Sequence, residues 1–392
     1  MGGTHDARTV IVLGAGLGGL VAAETLRKLL PPDDRVIAVD RADRHYFPPS
    51  LLWLMVGDRK PEDFTRSLDR LAARGVELRQ GNVTRIDPQQ RQVEIDGQTL
   101  AADAMVIALG AEYAPEAIPG LAEAGLNFYT MEGATNARDA LSRFTGGRIV
   151  FLTAAPAYKC PAAPYEAALL VEAYLQKRGL RDKTTLEFFA AEPQPMAVIG
   201  PAGGGAVRGM IEARGIAYHP EHQVKEVAAA KEGSVGRISF TNGVTAEYDL
   251  LLYVPPHRAP AVVREAGLTN DAGWIPVDRH TMQTKFEGVF AVGDIVTIPL
   301  KMGKPLPKAG VFAHGQAETV AHNIAHAWTG KGEATQFTGK GMCFIETGLG
   351  RAGIGKGNFY AEPLPQVALK QPSLLWHFGK ILYEKYWLYR RF

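Results

Sequence analysis

Two cysteines are the residues of this 392-residue chain best suited to covalent chemistry. The thiols of Cys160 and Cys343 could exchange with sulfur compounds or form a disulfide. Two cysteines are too few for a disulfide-stapled scaffold or a four-cysteine metal cluster, and we predict no metal site. Two cysteines, judged by number alone, are typically unrelated core thiols. Whether they form a pair depends on where the fold places them.

A glycine-rich turn near the start of the chain could bind a pyrophosphate. Gly14, Gly16 and Gly19 follow a β-branched strand, enclose Ala15 and open a helical stretch. Glycines allow the phosphates to approach the backbone, and the free N–H groups of a helix N-terminus favour anions. The next strand ends in Asp40, where a carboxylate accepts from a ribose hydroxyl. This combination predicts an α/β dinucleotide-binding fold with a parallel sheet.

Two later segments resemble those of the two-dinucleotide-fold flavoproteins related to glutathione reductase. One is the apolar strand and small-residue turn containing Ala108 and Gly110; the other ends in Gly293-Asp294. The resemblance covers roughly residues 8–330 and implies two Rossmann-like domains with FAD in the first. It also implies that Gly293 and Asp294 contact the ribityl chain and phosphate, and that Val83 lies near the adenine.

The second fold of that superfamily normally binds NAD(P)H, but the corresponding turn here is unsuited to it. Residues 154–166 contain no glycine and three prolines, and they carry Cys160. Proline donates no N–H to a phosphate and blocks its close approach. A helix is predicted at 165–178, and the glycine-rich stretch 201–209 is predicted to be a flexible surface loop. Cys343 lies in the region that typically closes over the flavin, so this placement favours a redox pair.

The cysteine loop Lys159-Cys160-Pro161, continued by Pro164-Tyr165-Glu166, is similar to that of one flavoprotein group. This group comprises the sulfide:quinone oxidoreductases and the flavocytochrome c sulfide dehydrogenases. The resemblance implies that two cysteines bracket the flavin, that sulfide attacks their disulfide or polysulfide bridge, and that electrons pass through FAD to quinone or a cytochrome. It also implies that Lys308 lies close to the flavin ring. Further matches are His45-Tyr46-Phe47-Pro48-Pro49-Ser50-Leu51, Pro307-Lys308-Ala309-Gly310 and Tyr383-Glu384-Lys385-Tyr386-Trp387-Leu388.

The chain departs from that group at several positions. Tyr129 stands where many members have a third cysteine, Gly133 where a histidine is expected, and no histidine follows Glu192-Pro193. Residues 45–57 contain no cysteine for covalent flavin attachment, so non-covalent FAD is predicted.

From Pro372 the chain is rich in aromatic and basic residues and predicts an amphipathic helix. Such a helix suits the bilayer interface, although docking on the domain or on a dimer partner is the alternative. No secretory signal or membrane-spanning run is apparent, and a net charge of +2 does not suggest nucleic acid. We expect a peripheral (monotopic) protein of a bacterial-type cytoplasmic membrane, with Met342, Phe344 and Tyr383 lining a quinone path.

The predicted function is FAD-dependent oxidation of sulfide to sulfane sulfur or polysulfide through Cys160 and Cys343, with Glu166 as proton acceptor and quinone as electron acceptor. The alternatives are a single-subunit NADH:quinone oxidoreductase, a sulfide dehydrogenase that donates to a cytochrome, and a flavin-bearing subunit without activity. The predicted domains are residues 1–115 with 266–330 for FAD, 116–265 for the second fold, and 331–392 for the flavin-covering and membrane-binding region.

Overall fold

The computed structural model describes residues 6–230 and 234–392, so residues 1–5 and 231–233 of the two predicted domains lie outside the described residues. Three main sheets organise the described chain, two of them parallel and one antiparallel. The α-helices within these ranges are α1 (Leu17–Leu29), α2 (Leu51–Met55), α3 (Leu121–Ala124), α4 (Met131–Arg143), α5 (Ala163–Lys177), α6 (Gly200–Glu212), α7 (Ala261–Glu265), α8 (Gly310–Thr329) and α9 (Leu374–Arg390).

The first sheet is parallel and carries the glycine-rich turn. Its inner strands are buried on both faces, as expected for a parallel sheet covered by helices. α1 leaves the turn and packs against α8. The carboxyl ends of the strands therefore meet beside the N-termini of these two helices. In spatial order the strands are Val289–Ala291, Ala104–Ile107, Thr9–Leu13, Arg35–Asp40 and Glu77–Gln80.

The second sheet repeats this parallel arrangement. The rings of Tyr165 and Phe188 stack in its core, with centroids 4.8 Å apart. α5 follows its central strand and begins two residues earlier than predicted. The strands are, in spatial order, Leu126–Asn127, Leu250–Val254, Gly147–Thr153, Thr184–Ala190 and Ile216–His219.

The prediction of a flexible loop at 201–209 was wrong, because these residues form most of α6. Pro201 lies in the first turn, where its missing N–H costs nothing. Val207 and Ile211 are buried one turn apart, and a Cβ at Gly204 would lie 2.7 Å from the Pro195 carbonyl oxygen. Packing against the sheet thus overrides the low helix propensity of glycine.

The third sheet is antiparallel and brings the C-terminal region over the two folds. Its strands are Lys340–Gly348, Arg351–Asn358 and Gln366–Ser373. α5 packs against the first strand, and α9 packs against the second. Cys343 therefore lies on a strand that contacts the helix following the Cys160 turn.

The remaining described strands form small sheets at the edges of these units. Two are three-stranded and antiparallel, and three are two-stranded. They comprise Val83–Asp87, Gln92–Ile95 and Gln98–Ala101; Val224–Ala228, Gly236–Phe240 and Thr245–Tyr248; Arg44–Tyr46 with Thr65–Ser67; Glu112–Tyr113 with His257–Arg258; and Ile275–Pro276 with Val296–Thr297.

Candidate active site

The glycine-rich turn has the geometry that close approach of a phosphate requires. Gly14 has a φ of +96°, and a Cβ there would lie 2.5 Å from the carbonyl oxygen of Ala108. A Cβ at Gly19 would lie 1.7 Å from the carbonyl oxygen of Gly14. At Gly16, by contrast, no atom of the described residues apart from its own and those of its chain neighbours lies within 4 Å of a built Cβ. The turn is therefore closed on the strand side and open in front of the first turn of α1.

Polar groups and a second helix N-terminus surround this opening. Asp40 accepts from the Ala15 N–H at 2.7 Å and from the Ala42 N–H at 2.9 Å, which holds its carboxylate beside the turn. Gly310 begins α8, and a Cβ there would lie 2.4 Å from Cδ1 of Leu17 at the start of α1. Two helix N-termini thus converge where an anion would be stabilised.

The predicted cofactor residues fit a flavin dinucleotide at this edge of the first sheet. The Gly293 N–H donates to Oε1 of Gln316 at 2.8 Å, which ties the turn before Asp294 to α8. The Gly81 N–H donates to the Asp40 carbonyl at 2.9 Å, so Val83 begins its strand close to Asp40. The residues that would hold the cofactor are Gly14, Ala15, Gly16, Gly19, Asp40, Val83, Ala108, Gly110, Gly293, Asp294, Lys308 and Gly310.

Lys308 links the cofactor edge to the cysteine loop. Its Nζ donates to the carbonyls of Asp294 at 2.7 Å and Val296 at 2.9 Å, and lies 3.5 Å from the ring centre of Trp274. Burial lowers the pKa of Lys308 to about 8. Its carbonyl accepts from the backbone N–H of Cys160. The cation is therefore fixed in place by backbone on one side and an aromatic face on the other.

Cys160 adopts a left-handed backbone conformation with φ +48°. Such a conformation is strained for a residue with a Cβ and persists only where neighbours hold it. Here Lys308 accepts from the Cys160 N–H, and the Tyr129 hydroxyl donates to the Cys160 carbonyl at 3.0 Å. Tyr129, which replaces the expected third cysteine, therefore supports the loop that carries Cys160.

The structure brings the two thiols close enough to interact electrostatically, and both are free and partly buried. Burial raises the pKa of Cys343 to about 12 and that of Cys160 further, and the carboxylate of Glu166 adds to both increases. Each thiol is therefore protonated at neutral pH unless a base removes its proton.

Glu166 lies in the first turn of α5 and is turned inward rather than toward solvent. It is 4% exposed, and its Oε2 pairs with Nζ of Lys380 on α9 at 2.8 Å. Burial lowers the pKa of Lys380, but Glu166 and Glu346 outweigh it, so the net shift is upward. The predicted role of Glu166 did not include this partner. The feature of the sequence that could have indicated this partner is the regular spacing of the polar residues His377, Lys380 and Glu384 in an otherwise aromatic helix.

Glu192 is a second buried carboxylate at the end of the second sheet. It accepts from the hydroxyls of Tyr158, of Thr153 at 2.9 Å and of Tyr165 at 3.3 Å. Burial raises its pKa despite these donors. With Glu166 nearby, the turn at 154–166 presents carboxylates and proline where a dinucleotide pyrophosphate would need N–H donors.

The predicted quinone-lining residues lie around Cys343. Met342 is 43% exposed and Tyr383 is 39% exposed. Phe344 packs beside Gly379 of α9, and the ring of Tyr383 lies 5.9 Å from that of Phe47. Cys343 also influences the pKa of Tyr383, which places this ring near the thiol. Phe344 of the third sheet thus lies beside α9, and Tyr383 of α9 lies near Cys343.

Residues 8–327 match the sequence pattern of the family described as pyridine nucleotide-disulphide oxidoreductase. The chain belongs to this family. Membership confirms the predicted two-dinucleotide α/β fold and FAD as the cofactor.

Three comparisons extend over most of the chain. It is 27% identical to the mitochondrial sulfide:quinone oxidoreductase of Mus musculus, covering 91% of this chain and 79% of that protein. It is 28% identical to the sulfide-quinone reductase of Aquifex aeolicus, covering 98% and 91%. The X-ray structure of the Aquifex aeolicus sulfide:quinone oxidoreductase superposes with a TM-score of 0.87 at 27% identity, again covering 98% and 91%. The resemblance stated from the cysteine loop is confirmed.

Proposed function

We propose that this protein oxidises sulfide and transfers the electrons through FAD to a quinone. The observation that carries this proposal is the placement of Cys160 and Cys343 beside Glu166, on the side where the third sheet covers the two folds. The similarity to sulfide:quinone oxidoreductases supports it along nearly the whole chain.

The cysteines provide the sulfur chemistry in their oxidised, bridged form. Attack of HS⁻ on the bridge forms one S–S bond and breaks another, which leaves a persulfide on one cysteine and a thiolate on the other. Bound FAD supplies a two-electron acceptor and donor between sulfur and quinone. The whole reaction, HS⁻ + quinone + H⁺ giving S⁰ + quinol, balances in atoms and electrons.

Glu166 is the carboxylate whose charge acts most strongly on both thiols. Because burial raises the pKa values of Cys160 and Cys343, the two cysteines, once reduced and protonated, need a neighbouring base to take their protons before the bridge can form again. The Lys380 ammonium holds the Glu166 carboxylate in place at 2.8 Å and offsets its charge.

The exposed face of α9 supports peripheral attachment to a membrane, from which quinone would reach Met342, Phe344 and Tyr383. Within the described residues no helix is long and apolar enough to cross a bilayer. The face consists of Leu374, Leu375, Phe378, Leu382, Tyr386 and Tyr389, all more than half exposed.

Cysteine substitution tests the proposal directly. In Cys160→Ser and Cys343→Ser, with FAD content matched by absorbance, we expect sulfide-dependent quinone reduction to fall by at least about 100-fold. Full activity in either variant would contradict the role of the pair. Anaerobic addition of sulfide should bleach the flavin of the unmodified protein, whereas bleaching by NADH alone would favour an NADH:quinone oxidoreductase.

A further inference from the structure

A cavity of about 450 Å³ lies between α2, α5, α9 and the turn after the strand Lys340–Gly348. It has apolar walls provided by Trp53, Leu170 and Ile381. The titratable and charged groups that face it are Asp58, Arg59, Tyr174, Lys177, Arg178, Glu346 and His377.

Two of these groups form a pair that reaches from the cavity into the protein. Nδ1 of His377 lies 3.0 and 3.1 Å from the two carboxylate oxygens of Glu346. The imidazole is partly exposed, whereas Glu346 is 1% exposed. Nδ1–H donates to the carboxylate, so Nε2 is the nitrogen left to exchange protons with water in the cavity.

The next groups inward are Lys380 and Glu166. The charges of Glu346 and Glu166 both act on Lys380, whose Nζ lies 2.8 Å from Glu166. The Trp53 ring covers this set, with Lys380 Nζ at 4.9 Å from its centre and the His377 ring at 6.2 Å. Glu346 lines the cavity and the charge of Glu166 acts on both thiols, so this set of charged groups extends from the cavity to the surroundings of the thiols.

We propose that His377 and Glu346 relay protons from the cavity to the Lys380–Glu166 pair. This inference rests on the proposed function, whose balance requires one proton from solvent for each HS⁻ oxidised. A proton taken up at Nε2 of His377 releases the Nδ1 proton to Glu346. Lys380 passes a proton to Glu166 and is reprotonated by Glu346. His377, Glu346 and Lys380 thereby regain their initial charges, and the proton stays on Glu166 until the quinone takes it up on reduction to quinol. Burial raises the pKa of Glu346, so its carboxylate accepts a proton more readily than a solvated one.

The two half-reactions separate this relay from the sulfur chemistry. Reduction of bound FAD by HS⁻ needs no net proton, whereas the full turnover with quinone does. In Glu346→Gln and His377→Ala of the FAD-loaded full chain, we expect flavin reduction by sulfide within about twofold of the unmodified rate. Turnover should fall about 10-fold or more, with the loss increasing from about pH 7 to 9 as solvent protons become scarce.

Rescue by added imidazole distinguishes a proton-transfer role of His377 from a structural one, because free imidazole can carry a proton but cannot replace lost packing. Added imidazole should restore turnover of His377→Ala through the cavity but not that of Glu346→Gln. His219 and Glu187, paired at 3.3 Å on the second sheet, offer the matched controls His219→Ala and Glu187→Gln. Turnover near the unmodified rate in the two relay variants, or no rescue by imidazole, would overturn the relay. Failure of sulfide to bleach the flavin of the unmodified protein would instead overturn the proposed function.

Discussion

At the residue scale, His45 shows how one side chain connects the cofactor edge to the C-terminal helix. Its Nδ1 donates to the Ala15 carbonyl at 3.2 Å, and its Nε2 accepts from Nε1 of Trp387 at 3.3 Å. These two bonds require the neutral ring with its proton on Nδ1. Burial lowers the pKa of His45 to about 4. The sequence comparison identified His45 only as part of a matching segment.

The His45 pKa predicts a loss of stability in acid. The unfolded ring binds a proton below about pH 6.5, whereas the folded ring binds one only below about 4, so unfolding is favoured increasingly as pH falls between these values. The loss attributable to His45 is about 3 kcal/mol at most. His45→Asn keeps a donor for Ala15 but does not titrate.

Chemical denaturation at pH 7 and pH 4.5 measures this difference. We expect the free energy of unfolding of His45→Asn to fall less with acid than that of the unmodified chain. His257, whose pKa burial lowers to about 3, is common to both proteins and cancels in the comparison. Parallel pH profiles would contradict the assignment.

At the element scale, α9 buries charged side chains and exposes apolar ones, which is the reverse of an ordinary surface helix. Lys380 and Glu384 are buried, and Glu384 accepts from Ser50 at 2.6 Å and from Arg59 at 3.1 Å. The helix docks on its own domain, as one alternative predicted, because α9 packs against the third sheet, but its apolar face points outward. Anchoring by polar groups leaves the apolar face available for a bilayer.

Serine substitution of this face should release the protein from membranes. In the quadruple variant Leu375→Ser, Phe378→Ser, Leu382→Ser and Tyr386→Ser, we expect the partition coefficient onto phosphatidylcholine–phosphatidylglycerol vesicles to fall about 100-fold or more. Each substituted side chain loses apolar burial worth about 1.5–3 kcal/mol. Co-sedimentation measures the bound fraction.

The matched control replaces exposed apolar residues elsewhere on the surface. Leu29→Ser, Val235→Ser, Val244→Ser and Leu364→Ser change residues that are 38–47% exposed and lie outside α9. Vesicle binding of this variant should equal that of the unmodified protein. Equal loss in both variants would show that α9 has no special role.

At the scale of the whole molecule, buried charges join the C-terminal region to both dinucleotide folds. Lys380 pairs with Glu166 of α5, and Arg391 pairs with Glu24 of α1 at 2.7 Å. Burying a charge is costly unless it is paired, so each partner holds the other in place.

The Lys380–Glu166 pair predicts a non-additive effect on stability. Lys380→Met leaves the Glu166 carboxylate buried without its cation and should lower the free energy of unfolding by about 3–5 kcal/mol. The double variant Lys380→Met with Glu166→Met removes both charges and should recover most of that loss, because an apolar pair of similar size needs no desolvation. Urea denaturation compares the variants, and equal losses in the single and double variants would contradict a buried ion pair.

The local features of the fold could be predicted because their causes are local. Gly14 and Gly19 permit a turn that no other residue allows, and Asp40 ends the strand that the turn must meet. The error at 201–209 has a tertiary cause, since burial of Val207 and Ile211 stabilises a helix that glycine alone disfavours.

The sequence by itself determined the FAD-binding fold, the candidate cysteines and the amphipathic character of the C-terminal helix, because strand–turn–helix spacing and residue type are written along the chain. Which groups face one another in space was decided only by the tertiary structure. Glu166 and Lys380 are 214 residues apart in sequence, and Glu346 and His377 are 31 apart. Their pairing depends on how the third sheet and α9 close over α5, and the desolvation of that layer makes the pairing energetically necessary.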